Sequence, residues 1–246
     1  MRTLILGIPL PHITFDNYSF LSAPSLFDYD RVVVEMSALS DAVEEVVAGS
    51  QEHRTFGSQT VVNGPSGPRT FSLAELLRLR RLEGERLLAR GGVVVCFAHP
   101  DIAHEGIQGL AGWRRYDWLP APEGFSYAEH LIAGYGKLGA EIADSGHPFA
   151  PYVEEFGVRL AFRAYVWEQE ERLSQHTRVF ARSPGGVAVG MELAVGPGRI
   201  VLLPPIDPLD YSRDRAPLAN VLYRCLERLQ GNETEQPPQC IRKEAS

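Results

Sequence analysis

The sequence predicts a three-layer α/β domain with a mostly parallel sheet and a β-meander near its C terminus. Three observations predict it. Four short apolar runs, residues 3–8, 31–36, 92–97 and 199–203, are rich in Val and Ile and continuous rather than alternating. Strands covered by helices on both faces read that way, whereas half-solvated strands alternate. Amphipathic stretches with helical spacing lie between and after these runs. Pro9, His99-Pro100 and Pro204-Pro205 close three of the runs on the carboxyl side. Proline has no N–H to give to a ladder, so such strands end abruptly and release the chain into loops.

Residues 3–8 form the first strand, because the run is short, stops at Pro9 and lacks the small-residue cleavage site of a signal peptide. Residues 9–30 read as a long loop that Phe15, Tyr18, Phe20 and Phe27 pack down as a lid. After the second strand, residues 40–48 run from a capping serine to Gly49, a helix. Residues 51–70 are a second long loop. Residues 72–90 make the strongest helix: Ser72 and Glu75 form a capping box, Leu73, Leu76, Leu77, Leu87 and Leu88 a stripe, and Gly91-Gly92 the stop. Residues 160–168 alternate as a half-solvated strand does, and 178–184 with 187–193 make a hairpin about Gly185-Gly186. The turn Gly196-Pro197-Gly198 then leads into the fourth apolar run. Residues 216–229 put Leu218, Leu222, Cys225, Leu226 and Leu229 on one helical face, which makes Cys225 a core thiol. Residues 231–246 have little to bury and read as a disordered tail behind a single domain over 1–230.

Composition removes several function classes. The chain of 246 residues carries 31 acidic and 24 basic side chains, a formal charge of −7. Such a balance makes nucleic acid an unlikely partner, since few phosphates can be neutralised at once. Arg78, Arg80, Arg81 and Arg86 interleave with Glu75, Glu83 and Glu85 and read as a solvated helix face. No apolar stretch approaches the length of a membrane span. Cys96, Cys225 and Cys240 are too scattered for a disulfide framework or a zinc ribbon, which suits a cytoplasmic setting. Dinucleotide, P-loop, serine-elbow and zincin motifs are absent.

Three segments resemble the class I glutamine-amidotransferase-like superfamily: residues 27–35 (FDYDRVVVE), 87–95 (LLARGGVVV) and 196–204 (GPGRIVLLP). The last is similar to the trehalose-utilisation-A-like and gliding/intraflagellar-transport-like branches. The resemblance implies a flavodoxin-like three-layer fold. It also implies a nucleophilic cysteine on a glycine-flanked turn after the third strand. Here the matching run is Val95-Cys96-Phe97-Ala98-His99-Pro100, without glycine, and no late histidine partner follows. Cys96 is therefore expected to stay in the strand as a buried, unactivated thiol. The resemblance then implies a member without amidotransfer.

Ligands of open parallel sheets sit beyond the carboxyl ends of the strands. The expected rim brings together Asp16, Glu35, His99, Asp101 and Asp207. Carboxylates clustered with a histidine could hold a divalent metal or act as general acid and base. Alternatively, loop Asp and Asn side chains cap local turns. His12, Asn17, Tyr18, His53, Arg54 and Trp113 are the candidate ligand-binding residues. The cluster Trp113, Arg114, Arg115, Tyr116 and Trp118 sets aromatic and guanidinium planes side by side, either for a partner or as a loop pinned in the core. Two functions follow. One is a non-catalytic amidotransferase-like module binding a small molecule or a protein partner at the rim. The other is a hydrolase using Asp16, Glu35, His99 and Asp101, with or without a divalent metal.

Overall fold

β-Branched side chains lose little on a pleated surface and pack well there, and the four apolar runs form four adjacent strands. In the computed structural model these are β1 (Thr3–Leu6), β3 (Arg31–Glu35), β6 (Val93–Phe97) and β14 (Gly198–Leu203), all parallel. The structure describes residues 1–39, 41, 53–56, 59–62, 68–101, 103–104, 113–136, 139–168 and 173–234.

Each of the four strands sends alternate side chains to opposite cores, which is why the runs are continuous. Leu4, Leu6, Val32, Val34, Val94, Cys96, Ile200 and Leu202 face one side, with Leu77, Leu87 and Leu88 of helix α1 (Pro68–Ala89) and with Tyr116, Trp118 and Tyr127. Ile5, Val33, Val95, Phe97, Val201 and Leu203 face the other. There they meet α3 (Ala150–Phe156) and α4 (Tyr211–Thr234). The result is a mixed α/β arrangement with helices on both faces of one sheet, as the sequence predicts.

Among the described residues the sheet has ten strands. Outside β1 lies β2 (Phe15–Tyr18), also parallel. Beyond β14 the direction reverses through β13 (Ala188–Val195), β12 (Thr177–Arg182) and β10 (Glu141–Ile142), while β11 (Phe162–Val166) joins β13 to β9 (Leu131–Gly136). This is the expected meander, with Gly186 (φ +84°) and Gly196 (φ +59°) in its turns. Two small hairpins pair β4 (His53–Phe56) with β5 (Gln59–Val62), and β7 (Ala103–His104) with β8 (Trp113–Arg114). A one-turn α2 (Tyr127–His130) precedes β9. Among the described residues no helix is long and apolar enough to cross a membrane.

Several expectations are corrected. The stretch 9–30 is not all loop: β2 adds to the sheet, and Asn17 accepts from the Leu10 N–H at 2.7 Å and donates to its carbonyl at 3.0 Å, standing in for a further strand. The stretch 51–70 contains the β4–β5 hairpin. Helix α1 begins at Pro68, so Ser72 lies inside it and not at its start; proline suits a first turn, where its missing N–H is not needed. Its stop is as expected, with Gly91 at φ +84° and the Gly92 N–H on the Leu87 carbonyl at 2.9 Å. Arg80 is not part of a solvated face: it is buried, and donates to the Pro24 carbonyl at 2.7 Å, to the Ala23 carbonyl and to Glu83 at 2.7 Å. Helix α4 starts earlier than 216, because Asp210 accepts from the Ser212 and Arg213 N–H groups. It also runs on through Thr234 into the stretch read as tail. Of the helix expected over 40–48 only residue 41 is described, and it is helical, as are 37–39 before it; the other positions of that stretch, the rest of the tail and Cys240 lie outside the described residues.

Candidate functional site

Two of the expected rim residues meet. Glu35 ends β3 and His99 follows β6, its neighbour in the sheet, and the His99 Nε2 lies 2.8 Å from the Glu35 Oε1. The same oxygen accepts from the N–H (3.1 Å) and the hydroxyl (3.0 Å) of Ser37, where the chain turns helical. The carboxylate thus lies against the Nε2 edge of the imidazole. Among the described residues Nδ1 has no partner. Both side chains are partly open, 18% for His99 and 15% for Glu35, so a ligand can reach them.

Tyr116 holds the backbone of this pair. Its buried hydroxyl accepts from the His99 N–H at 3.1 Å and donates to the His99 carbonyl at 2.8 Å. Arg115, also buried, donates to the Pro100 carbonyl. Burial pulls the Arg115 pKa down, against the opposing pull of Asp101, Glu35 and Asp41. The aromatic cluster is accordingly a pinned loop: Tyr116 and Trp118 are buried, and Trp118 meets Phe20 edge-on at 5.6 Å. Tyr116→Phe is expected to cost about 1–3 kcal/mol in urea unfolding, because two backbone groups lose their partner.

The remaining candidates are not brought to this pair. Asp16 sits on β2 opposite Leu4, and its carboxylate takes Arg2 at 2.9 Å, toward the amino end of the sheet. Asp207 pairs with Arg163. Asp101 turns its carboxylate toward Arg114 and the Tyr116 N–H. His12 stacks on Tyr223 of α4 at 4.4 Å and binds Thr14. Asn17 and Tyr18 do reach the carboxyl end of the sheet, where they line a cleft of about 290 Å³ with Gly7, Ile8 and Pro9. That cleft abuts the Glu35 strand, since a Cβ on Gly7 would lie 3.3 Å from the Glu35 carbonyl and 2.3 Å from the Ala38 Cβ. His53 and Arg54 belong to β4 and Trp113 to β8, and their side chains lie outside the described residues.

Cys96 lies inside β6 with no exposed surface, and burial pushes its thiol far up. Cys225 is likewise buried, pushed up to about 12. Among the described residues no group of three or more His, Cys, Asp or Glu side chains is placed to hold a metal ion; Glu35 and His99 offer two ligands. One buried polar pair has no counterpart in the sequence reading: His147 donates from Nε2 to Glu192 at 3.2 Å and accepts the Phe149 N–H at Nδ1.

No family model matches the chain, and no curated protein matches it in sequence. Among solved structures it is similar to the cytoplasmic protein STM3548 from Salmonella typhimurium, at a TM-score of 0.43 and 11% identity over 93% of this chain and 98% of that one. It is similar also to the cytoplasmic protein STM1381 from Salmonella typhimurium LT2, at 0.44 and 10% identity over 94% and 99%.

Proposed function

We propose that the chain is an amidotransferase-like module that binds a small polar molecule at the carboxyl-end rim and uses no thiol nucleophile. The observation that carries this reading is the partly open Glu35–His99 pair at 2.8 Å. What supports the amidotransferase-like part is the unit of α1, Gly91-Gly92 and β6 in the order that the resemblance implies. What speaks for a non-thiol site is the burial of Cys96. The free buried thiols Cys96 and Cys225 suit a cytoplasmic setting. A hydrolytic reading has one specific support, since an imidazole beside a carboxylate is an arrangement that general bases use. It would rest on Glu35 and His99 without Asp16 or Asp101.

The test is nitrogen-15 NMR of the histidine rings while small amides, sugars and carboxylic acids are added in turn. The His99 signals are expected to move with at least one class and to stop moving in Glu35→Gln, with turnover of p-nitrophenyl acetate lost in His99→Gln if the site is hydrolytic. Signals unmoved by every class overturn the rim reading. Alkylation of Cys96 by iodoacetamide in the native protein overturns the non-thiol part.

A further inference from the structure

The strand order reverses between β1 and β3. The chain leaves β1 toward β2 at one edge of the sheet, and leaves β3 toward β6 and β14 in the other direction. In open parallel sheets a crevice opens at the carboxyl ends of such a pair, and ligands lie in it. The cleft of about 290 Å³ sits there, against Gly7 just after β1. It adjoins Glu35 at the end of β3, because a Cβ on Gly7 would lie 3.5 Å from the Glu35 Cβ.

Two of the polar side chains in the cleft are tied. The Asn17 amide is held by the Leu10 backbone at 2.7 and 3.0 Å, and the Ser19 hydroxyl by the Ser22 hydroxyl at 2.7 Å. The Gly7 N–H donates to the Tyr18 carbonyl at 3.1 Å, which fastens the Tyr18 backbone to the strand end. Two groups stand apart. Tyr18 is 44% exposed, and among the described residues its ring meets no other ring and its hydroxyl no hydrogen-bond partner. In Glu35, Oε1 receives the Ser37 N–H and hydroxyl and lies against the His99 Nε2. Its Oε2 has no donor among the described residues.

These two groups describe the ligand. Among the described residues no ionised side chain lines the cleft, and the carboxylate that it adjoins repels anions. A phosphate or carboxylate therefore finds no counter-charge. A polyol fits no better, since each buried hydroxyl needs a partner and two uncommitted groups cannot serve a ring of them. A flat uncharged ring needs less: an aromatic face to stack on and an acceptor for one N–H. The volume lies at the lower edge of the roughly 300–1,000 Å³ of drug-sized sites, so the ligand is small. We propose that the cleft is a subsite for an uncharged heteroaromatic ring of nucleobase size, stacked on Tyr18 with one N–H on the Glu35 Oε2. The subsite shares Glu35 with the proposed rim site, so it rests on that reading and gives it a ligand class.

The experiment is calorimetric titration of the full chain at neutral pH with adenine and uracil, and with adenosine monophosphate and glucose as the charged and the polyol comparisons. At least one base is expected to bind, and both comparison compounds to bind markedly more weakly. Tyr18→Ala is expected to weaken base binding about tenfold, the size of a stack on one aromatic side chain, and Tyr18→Phe to keep most of it. In Glu35→Gln the oxygen must stay with Ser37, so an NH2 group replaces Oε2 and binding is expected to fall about tenfold as well. Tyr18 is exposed, so its variants test the stack in a folded chain. Neither base bound, equal binding by either comparison compound, or full binding by Tyr18→Ala or by a folded Glu35→Gln overturns the proposal. The rim reading is judged apart, by the His99 signals. If they move with another class while no base binds, the subsite alone is lost; if they stay still while a base binds through Tyr18 and Glu35, the imidazole alone is lost from the rim.

Discussion

Phe180→Ala lowers the stability of the fold by about 3–5 kcal/mol, the range for emptying a buried aromatic position. The ring has no exposed surface and stacks on His147 at 4.2 Å with the planes 7° apart, with Phe149 at 6.2 Å. The neighbouring strand is shaped to receive it: a Cβ on Gly190 would lie 2.8 Å from this ring, so only glycine leaves it room. Removing the ring opens a void bordered by the buried His147–Glu192 pair, which then loses its apolar cover. Phe180→Leu fills much of that void and is expected to recover more than half of the loss. Urea denaturation measures both, and an alanine variant within 1 kcal/mol of the parent would falsify the account.

Gly198→Ala is the second large effect, about 3 kcal/mol, at the upper end of ordinary overpacking. Gly198 opens β14 directly against the end of α1. A Cβ there would sit 2.5 Å from the Leu88 carbonyl oxygen, 2.6 Å from its Cα and 2.9 Å from its carbonyl carbon. Backbone atoms cannot swing aside as a side-chain tip can, so helix and strand must separate. Gly186→Ala is the control. Its φ of +84° strains a side chain, but nothing lies within 4 Å of the added methyl. That variant loses about 1 kcal/mol, from backbone conformation alone. Equal losses at the two positions, read by thermal unfolding, would show that contact with Leu88 is not the cause.

Strands buried on both faces were legible because burial itself writes the signal: every residue of 93–97 is apolar, and every one is covered. Strand β2, Phe-Asp-Asn-Tyr, carries no such signal, since it is an edge whose exposed positions are free to be polar. Helix α3 has seven residues with Pro151 near its start, too short for a period to show. The start of α1 was misplaced because Ser72 and Glu75 satisfy a capping rule locally, while Pro68 is the residue that opens the helix. At the site, Glu35 and His99 were legible as strand ends. Asp16 and Asp207 looked equivalent to them, because their arginines, Arg2 and Arg163, are brought close only by the fold. The grip of Tyr116 on His99 requires the chain to double back on itself, which no local pattern announces.

The position of β6 also bears on how the chain must assemble. It pairs on one side with β3, made well before it, and on the other with β14, roughly a hundred residues later in sequence. On a ribosome the parallel strands β1, β2, β3 and β6 can gather early. The strand that covers the open flank of β6 leaves only after roughly a hundred further residues have been made. Until then Val93–Phe97 presents an unpaired, wholly apolar edge, which is the kind of surface that chaperones hold. Refolding from denaturant is expected to be slow for the same reason, since the long loop must close before its contacts stabilise anything.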